Sequence, residues 1–181
     1  MTTDAAIEIA VMAILKPTMV ANPVLAQVGL QRGNQPRQQG SPSGSFVSFF
    51  KITERNVGSP KRGAVWNMLT GQFDANLLQA CAAIWQFQAL VPQDPTNVDQ
   101  PSESDVLQQF RAIMQTDAAL DAFRARGIRI ERIVDVRNPF FTDDHDQFEA
   151  SPSFDVTFTF DRDLAGTIPA VSTYNANVSR V

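Results

Sequence analysis

The residues with the most evident capacity for chemistry in this 181-residue chain fall in one short run: Asp143, Asp144, His145, Asp146 and Glu149. Carboxylates around the only histidine supply oxygen ligands suited to Ca²⁺ or Mg²⁺ and an imidazole suited to a transition metal. A small metal-dependent enzyme would use Asp143, His145 and Asp146. The spacing fits no calcium loop, because the required glycine and the ladder of alternating acids are missing. A polar turn between two strands accounts for the same residues. The chain also lacks a phosphate-cradling glycine loop, a nucleophile elbow and a second histidine. No enzymatic activity, cofactor or resident metal is therefore expected. A rise in melting temperature with added Ca²⁺, Mg²⁺ or Zn²⁺ would reverse that expectation.

Two basic pairs are the other candidates. Arg32 and Arg37 flank and enter the stretch NQPRQQGSPSG, whose Gly, Ser, Gln and Pro content is that of a loop. Loops of this length inside a compact domain are commonly functional or disordered, so the pair reads as a partner-binding finger or as solvated loop. Lys61 and Arg62 follow Gly58, Ser59 and Pro60 and read as solvated turn residues or a partner contact.

The elements that must position these residues are organised around SPSFDVTFTFDR, residues 151–162. Phe154, Val156, Phe158 and Phe160 alternate with Asp155, Thr157 and Thr159, the period of a strand wetted on one face. Its apolar face requires a covering layer. The apolar positions Ile7, Ala10, Val11, Ile14 and Leu15 predict a helix over 4–16, capped by Thr3 or Asp4 and stopped by Pro17. Residues 22–31 fit a short helix or a strand, since Val24, Ala26 and Val28 alternate while Val24, Val28 and Gln31 share a helical face, and the strand is preferred. Residues 46–53 and 63–70 read as a hairpin reversing through 54–62. Residues 72–76 read as a break; 77–91, whose alanine-rich start also suits a helix, read as a strand on the aromatic alternation before Pro92, placing Cys81, Ala83, Trp85, Phe87 and Ala89 on one face. Ser102 or Ser104 caps a helix with Val106, Leu107, Phe110, Ile113 and Met114 on its apolar side. A shorter helix follows from Thr116 or Asp117, through Ala118, Leu120 and Phe123, to Gly127. Residues 128–136 form a strand, with a phase change at Ile133 and Val134. The predicted fold is α+β: a single, mainly antiparallel β-sheet covered by helices on one face. Residues 1–166 make one domain and 167–181 an extended C-terminal arm.

Composition narrows the function. The charge of -4 argues against a nucleic-acid binder working through a basic face. Charged residues are only 19% of the chain, which leaves surface for protein partners. A lone cysteine, Cys81, excludes an internal disulfide and a cysteine-based zinc site, and reads as a buried core residue in a reducing compartment. No signal peptide or membrane-length apolar run is apparent, so no membrane partner is expected.

The order of helix, aromatic hairpin with FVSFF, WQFQALVP strand, helix, IRIERIVDVRNPFF strand, polar acidic turn and SPSFDVTFTF strand resembles the neck and tail terminator proteins of tailed bacteriophages. The likeness runs from about Ile7 to Asp161. It departs at Ala89, Leu90, Val91, Pro92 and at Ser151, Pro152, Ser153, where members often carry an aspartate–aromatic–glycine ending and an opening arginine. The resemblance implies a virion protein assembled in the host cytoplasm as a ring, generally of six copies, at the head-proximal end of the tail tube. Its implied partners are further copies of itself, the tail tube protein, the head-side connector and, in a contractile tail, the sheath. DNA would pass without specific binding, with Asp143, Asp144 and Asp146 as candidate channel-facing acids. A head-completion or connector protein of the neck is the alternative.

Overall fold

In the computed structural model, residues 3–33, 44–92, 96–97, 99–142, 148–150, 152–163 and 166–168 are described. The longest strand, β4 (Gln72–Leu90), is the spine. Its far half carries alternating apolar side chains, and Cys81, Ala83, Trp85, Phe87 and Ala89 are buried as the alternation predicts, while Gln86 and Gln88 point the other way. On one side β4 pairs with β8 (Ser153–Asp163), from Leu78 opposite Asp163 to Gln88 opposite Ser153. There Phe154, Val156, Phe158 and Phe160 are buried, and Asp155, Thr157 and Thr159 are half-buried on the other face. The sheet order is β1-β2-β4-β8-β5, built with β1 (Gly29–Arg32), β2 (Phe46–Asn56) and β5 (Ile128–Ile133). Within that order only β1 and β2 run parallel.

Three helices pack on the aromatic side. Helix α1 (Asp4–Ala21) buries Ile7, Ala10, Val11, Ile14, Leu15 and Met19. Pro17 does not stop it, against expectation. The proline lies on the exposed side, Met19 beyond it is buried, and the Thr18 hydroxyl donates to the Ile14 carbonyl at 3.2 Å. A proline removes one hydrogen bond and crowds the preceding turn, but burying an apolar side chain further on offsets part of that cost. Helix α2 (Glu103–Met114) starts at Ser102 through a reciprocal capping box with Asp105, and its five expected core residues are all buried. Helix α3 (Asp117–Arg124) starts at Thr116 and buries Ala119 and Phe123; Ala118 is exposed. Gly127, at φ 72°, then turns the chain into β5.

The segment 22–31 is a strand only from Gly29. Before it, the Asn22 side-chain oxygen accepts from the Val24 and Leu25 amides at 3.0 and 3.3 Å, a local turn that competes with extended pairing. The expected hairpin between 46–53 and 63–70 does not form. Both segments pair with β4 instead: β2 runs from Phe46 opposite Leu90 to Asn56 opposite Cys81, and β3 (Lys61–Asn67) from Lys61 opposite Leu78 to Asn67 opposite Gln72. They lie end to end along one edge of β4, so residues 72–76 are strand rather than break. The Gly58-Ser59-Pro60 signal is a bend, not a reversal, because the Val57 backbone amide donates to the Ala80 carbonyl and the Gln79 side-chain Nε2 donates to the Val57 and Gly58 carbonyls, holding the chain against β4. The reversal falls at 68–71, where Gly71 has φ 63°. The phase change in β5 comes between Ile130 and Arg132, earlier than expected. Beyond it the Val134 amide donates to the Asp155 carbonyl and Arg137 bridges to Ser153.

A small hairpin of β6 (Phe140–Thr142) and β7 (Phe148–Ala150) flanks residues 143–147. Strand β9 (Gly166–Ile168) pairs with β4 at Phe73 to Ala75, so the first residues beyond the expected domain end are already tied to the sheet. No helix among the described residues is long and apolar enough to cross a membrane.

Candidate assembly surfaces

The near half of β4, with β3 on one side and β9 on the other, forms a three-stranded finger off the end of the sheet. Among the described residues nothing covers its apolar side chains. Leu69 is 97% and Met68 89% exposed at the turn, Val65 is 69% exposed, and Trp66 and Phe73 are partly open. Trp66 and Phe73 meet edge to face, with ring centroids 5.0 Å apart, so the two rings brace each other. Asn67 organises the turn: its side-chain oxygen accepts from the Leu69 amide at 2.9 Å and its amide donates to Asp74 at 3.0 Å. The finger is therefore a built structure with an apolar end.

A second surface, also uncovered among the described residues, lies on α1. Ala5, Ile9, Ala13, Pro17 and Val20 fall along one side of the helix and are exposed, with Lys16 the charged residue among them. An amphipathic surface helix would carry polar residues there.

The root of the finger is closed by charge. The irregularity between Lys51 and Thr53 in β2 leaves Lys51 and Glu54 both on the inner face, opposite Trp85 and Ala83. Lys51 bonds to Asp4 at the start of α1 and, at 3.2 Å, to Glu54, which also meets Arg162 at 2.8 Å. Partial burial opposes the Lys51 charge, but the Asp4 and Glu54 carboxylates outweigh it and hold the ammonium above its ordinary pKa.

The residues singled out by sequence are scattered. Arg32 ends β1 and pairs with Glu8 of α1 at 3.1 Å, tying sheet edge to helix rather than standing free. Lys61 and Arg62 open β3 as exposed strand residues, not turn residues. Arg37, Asp143, Asp144, His145 and Asp146 lie outside the described residues, and Glu149 falls in β7. Among the described residues no cluster of His, Cys, Asp or Glu is suited to a metal. Burial pushes the Cys81 thiol up from its ordinary pKa, so it is not activated as a nucleophile. The apolar fingertip is what sequence reasoning missed. Its signal was present: Met68 and Leu69 stand beside Gly71, where a solvated turn would carry polar residues.

The fold is that of a tail terminator. The chain superposes on the sheath/tube terminator of an extracellular contractile injection system, PVC, in the extended state, with a TM-score of 0.55 and 12% identity over 99% of this chain. This chain spans 64% of that protein's length. The family model for the E217 gateway protein gp29 matches residues 6–170, and the chain belongs to that phage family. Among curated proteins none matches.

Proposed function

We propose that this chain is a structural virion protein that terminates the tail: copies of it close into a ring on the head-proximal end of the tail tube, stop its growth and present a surface to the head-side connector. The observation that carries this reading is the agreement of nearly the whole chain with a sheath/tube terminator fold. Membership in a phage gateway-protein family and two apolar surfaces without partners in a single chain support it. The alternative of a metal-dependent enzyme rests on Asp143, His145 and Asp146, which lie outside the described residues. The sheath named for the structural neighbour makes a sheath protein the next partner to test.

The ring reading sets a mass. Six copies of a 19.9 kDa chain come to about 119 kDa. Light scattering over a concentration series, followed by imaging, should give a closed ring near that mass, free or on tail tubes. Addition to growing tubes should arrest elongation with one ring at one end. Rings that ignore tubes but bind portal-bearing heads would move the protein into the connector layer of the neck. A monomer that tubes do not recruit would end the neck reading.

A further inference from the structure

We propose that the fingertip of one copy docks on the outer stripe of α1 in the next copy, and that this contact is what joins neighbours in the ring; the inference rests on the ring reading above. The occupant follows from four features. First, a single chain carries two separate apolar surfaces, Trp66 and Phe73 with Met68 and Leu69 at the turn, and Ala5-Ile9-Ala13-Val20, both uncovered among the described residues; Val65, paired across the strands with Asp74, faces the other side of the finger. One contact between copies covers both, whereas two foreign partners would be needed otherwise. Second, the surfaces belong to different elements, so the contact is heterologous; a contact of that type repeats from copy to copy and either closes a ring or grows a filament.

Third, size fits. The fingertip exposes on the order of 600 Å² of side chain, near the roughly 800 Å² per partner of a stable interface and at the upper end of what a monomer leaves open. Fourth, a charge of opposite sign lies at the margin of each surface. Lys16 sits in the α1 stripe and Asp74 beside the fingertip, and neither has an ion-pair partner among the described residues. A lone pair at the edge of an apolar contact fixes register more than it adds affinity. The braced Trp66–Phe73 edge, already ordered in the single chain, reduces the entropy lost on docking.

The test uses the full chain, alone over a concentration series and on tail tubes. Met68→Cys with Ala13→Cys, treated with a short bismaleimide, should give a ladder of linked copies, while either cysteine alone should give none. Cys81 is 1% exposed and stays out of the reaction. Leu69→Asp and Ile9→Asp should each raise the concentration for half-assembly by about tenfold or more, with the melting temperature kept. Asp74→Lys and Lys16→Asp should each weaken assembly, and the two together should restore it. No ladder in either setting, or assembly indifferent to Leu69→Asp, overturns the inference. If Leu69→Asp abolishes capture by tubes but leaves the ring intact, the fingertip meets the tube protein; this inference then falls and the terminator reading stands. Failure of the unaltered chain both to self-associate and to bind tubes removes the two together.

Discussion

The two halves of β4 are one strand with two fates. From Cys81 to Ala89 its aromatic and small apolar residues are sealed beneath the helices, with Phe87 stacked between Phe49 and Phe154 at 5.6 and 5.3 Å. From Gln72 to Leu78 the same strand continues into a finger whose apolar neighbours face solvent. Hydrogen bonding does not distinguish them, since both halves are paired on both sides along most of their length. Cover does. A sheet's ladder fixes the backbone, and a second layer decides whether its side chains stabilise the monomer or wait for a partner. The comparison predicts that equal truncations in the two halves act on different observables.

The largest effect belongs in the covered half. Phe87→Ala empties a site at 0% exposure that touches Phe49, Phe110 and Phe154, and should cost about 3–5 kcal/mol, enough to unfold many domains of this size. Urea unfolding reads it directly. A loss below about 1 kcal/mol would mean the stack is not the core's centre.

Next comes the layer that does the covering. Ser102→Ala removes the oxygen that accepts from the Asp105 amide at 3.1 Å and the hydroxyl that donates to the Asp105 carboxylate at 2.7 Å, leaving that carboxylate only the bond from the residue-102 backbone amide at 3.0 Å. The expected cost is about 1 kcal/mol. The Ser102 side-chain and backbone hydrogen bonds hold the Asp105 pKa below its ordinary value. A lowered pKa contributes stability that is present above the unfolded value of 3.8 and is lost as pH falls through the lower folded value. The gap in melting temperature between the unaltered protein and Ser102→Ala should therefore narrow in acid; a gap that stays constant to pH 2 would count against the box.

A smaller stability effect is expected in the finger. Trp66→Ala loses the edge-to-face contact with Phe73, worth about 0.5–1.5 kcal/mol, and little burial. The same change should weaken assembly far more than it lowers the melting temperature. If Trp66→Ala destabilised the chain as much as Phe87→Ala, the two halves would not differ as argued.

What the sequence made legible follows the same division. The alternation of Phe154, Val156, Phe158 and Phe160, the faces of α2 and of the far half of β4, and the Ser102 cap are local patterns in residues that answer to one buried layer, and they read directly. The helix past Pro17 and the double pairing of β4 are decided by contacts distant in sequence. Gly58, Ser59 and Pro60 carry turn chemistry in either outcome; only Gln79 and Ala80, about twenty residues on, determine that the chain bends and continues. The open fingertip was harder to read for a related reason: GAVWNMLT has the composition of a covered strand, and its one local sign is that Met68 and Leu69 stand in the turn before Gly71. Basic residues drew attention as partner contacts, yet Arg32 is committed to Glu8 within the chain.

The junction between the halves supplies the smallest effect and the finest test of the comparison. At the finger's root the inner face changes from apolar to charged, with Arg162 lying over the Phe160 ring at 5.9 Å and joined through Glu54 and Lys51 to Asp4 of α1. If covering by helices is what ends here, this network is the seam that pins the helix layer to the sheet where the layer stops. Lys51→Met should then cost under about 1 kcal/mol near neutral pH, because the pair is partly solvated. The pH dependence carries more information than the size. The Lys51 pKa is raised above 10.5, so its contribution is complete below that value and is lost as pH rises through the folded pKa. The unaltered protein should lose melting temperature above about pH 10.5 more steeply than Lys51→Met, and the two curves should meet in strong alkali. Amide exchange in the first turns of α1 should rise over the same range while that of the finger stays level. Parallel alkaline curves for the two proteins would show that charge at the root does not hold the layer, and that the apolar face of α1 positions it alone.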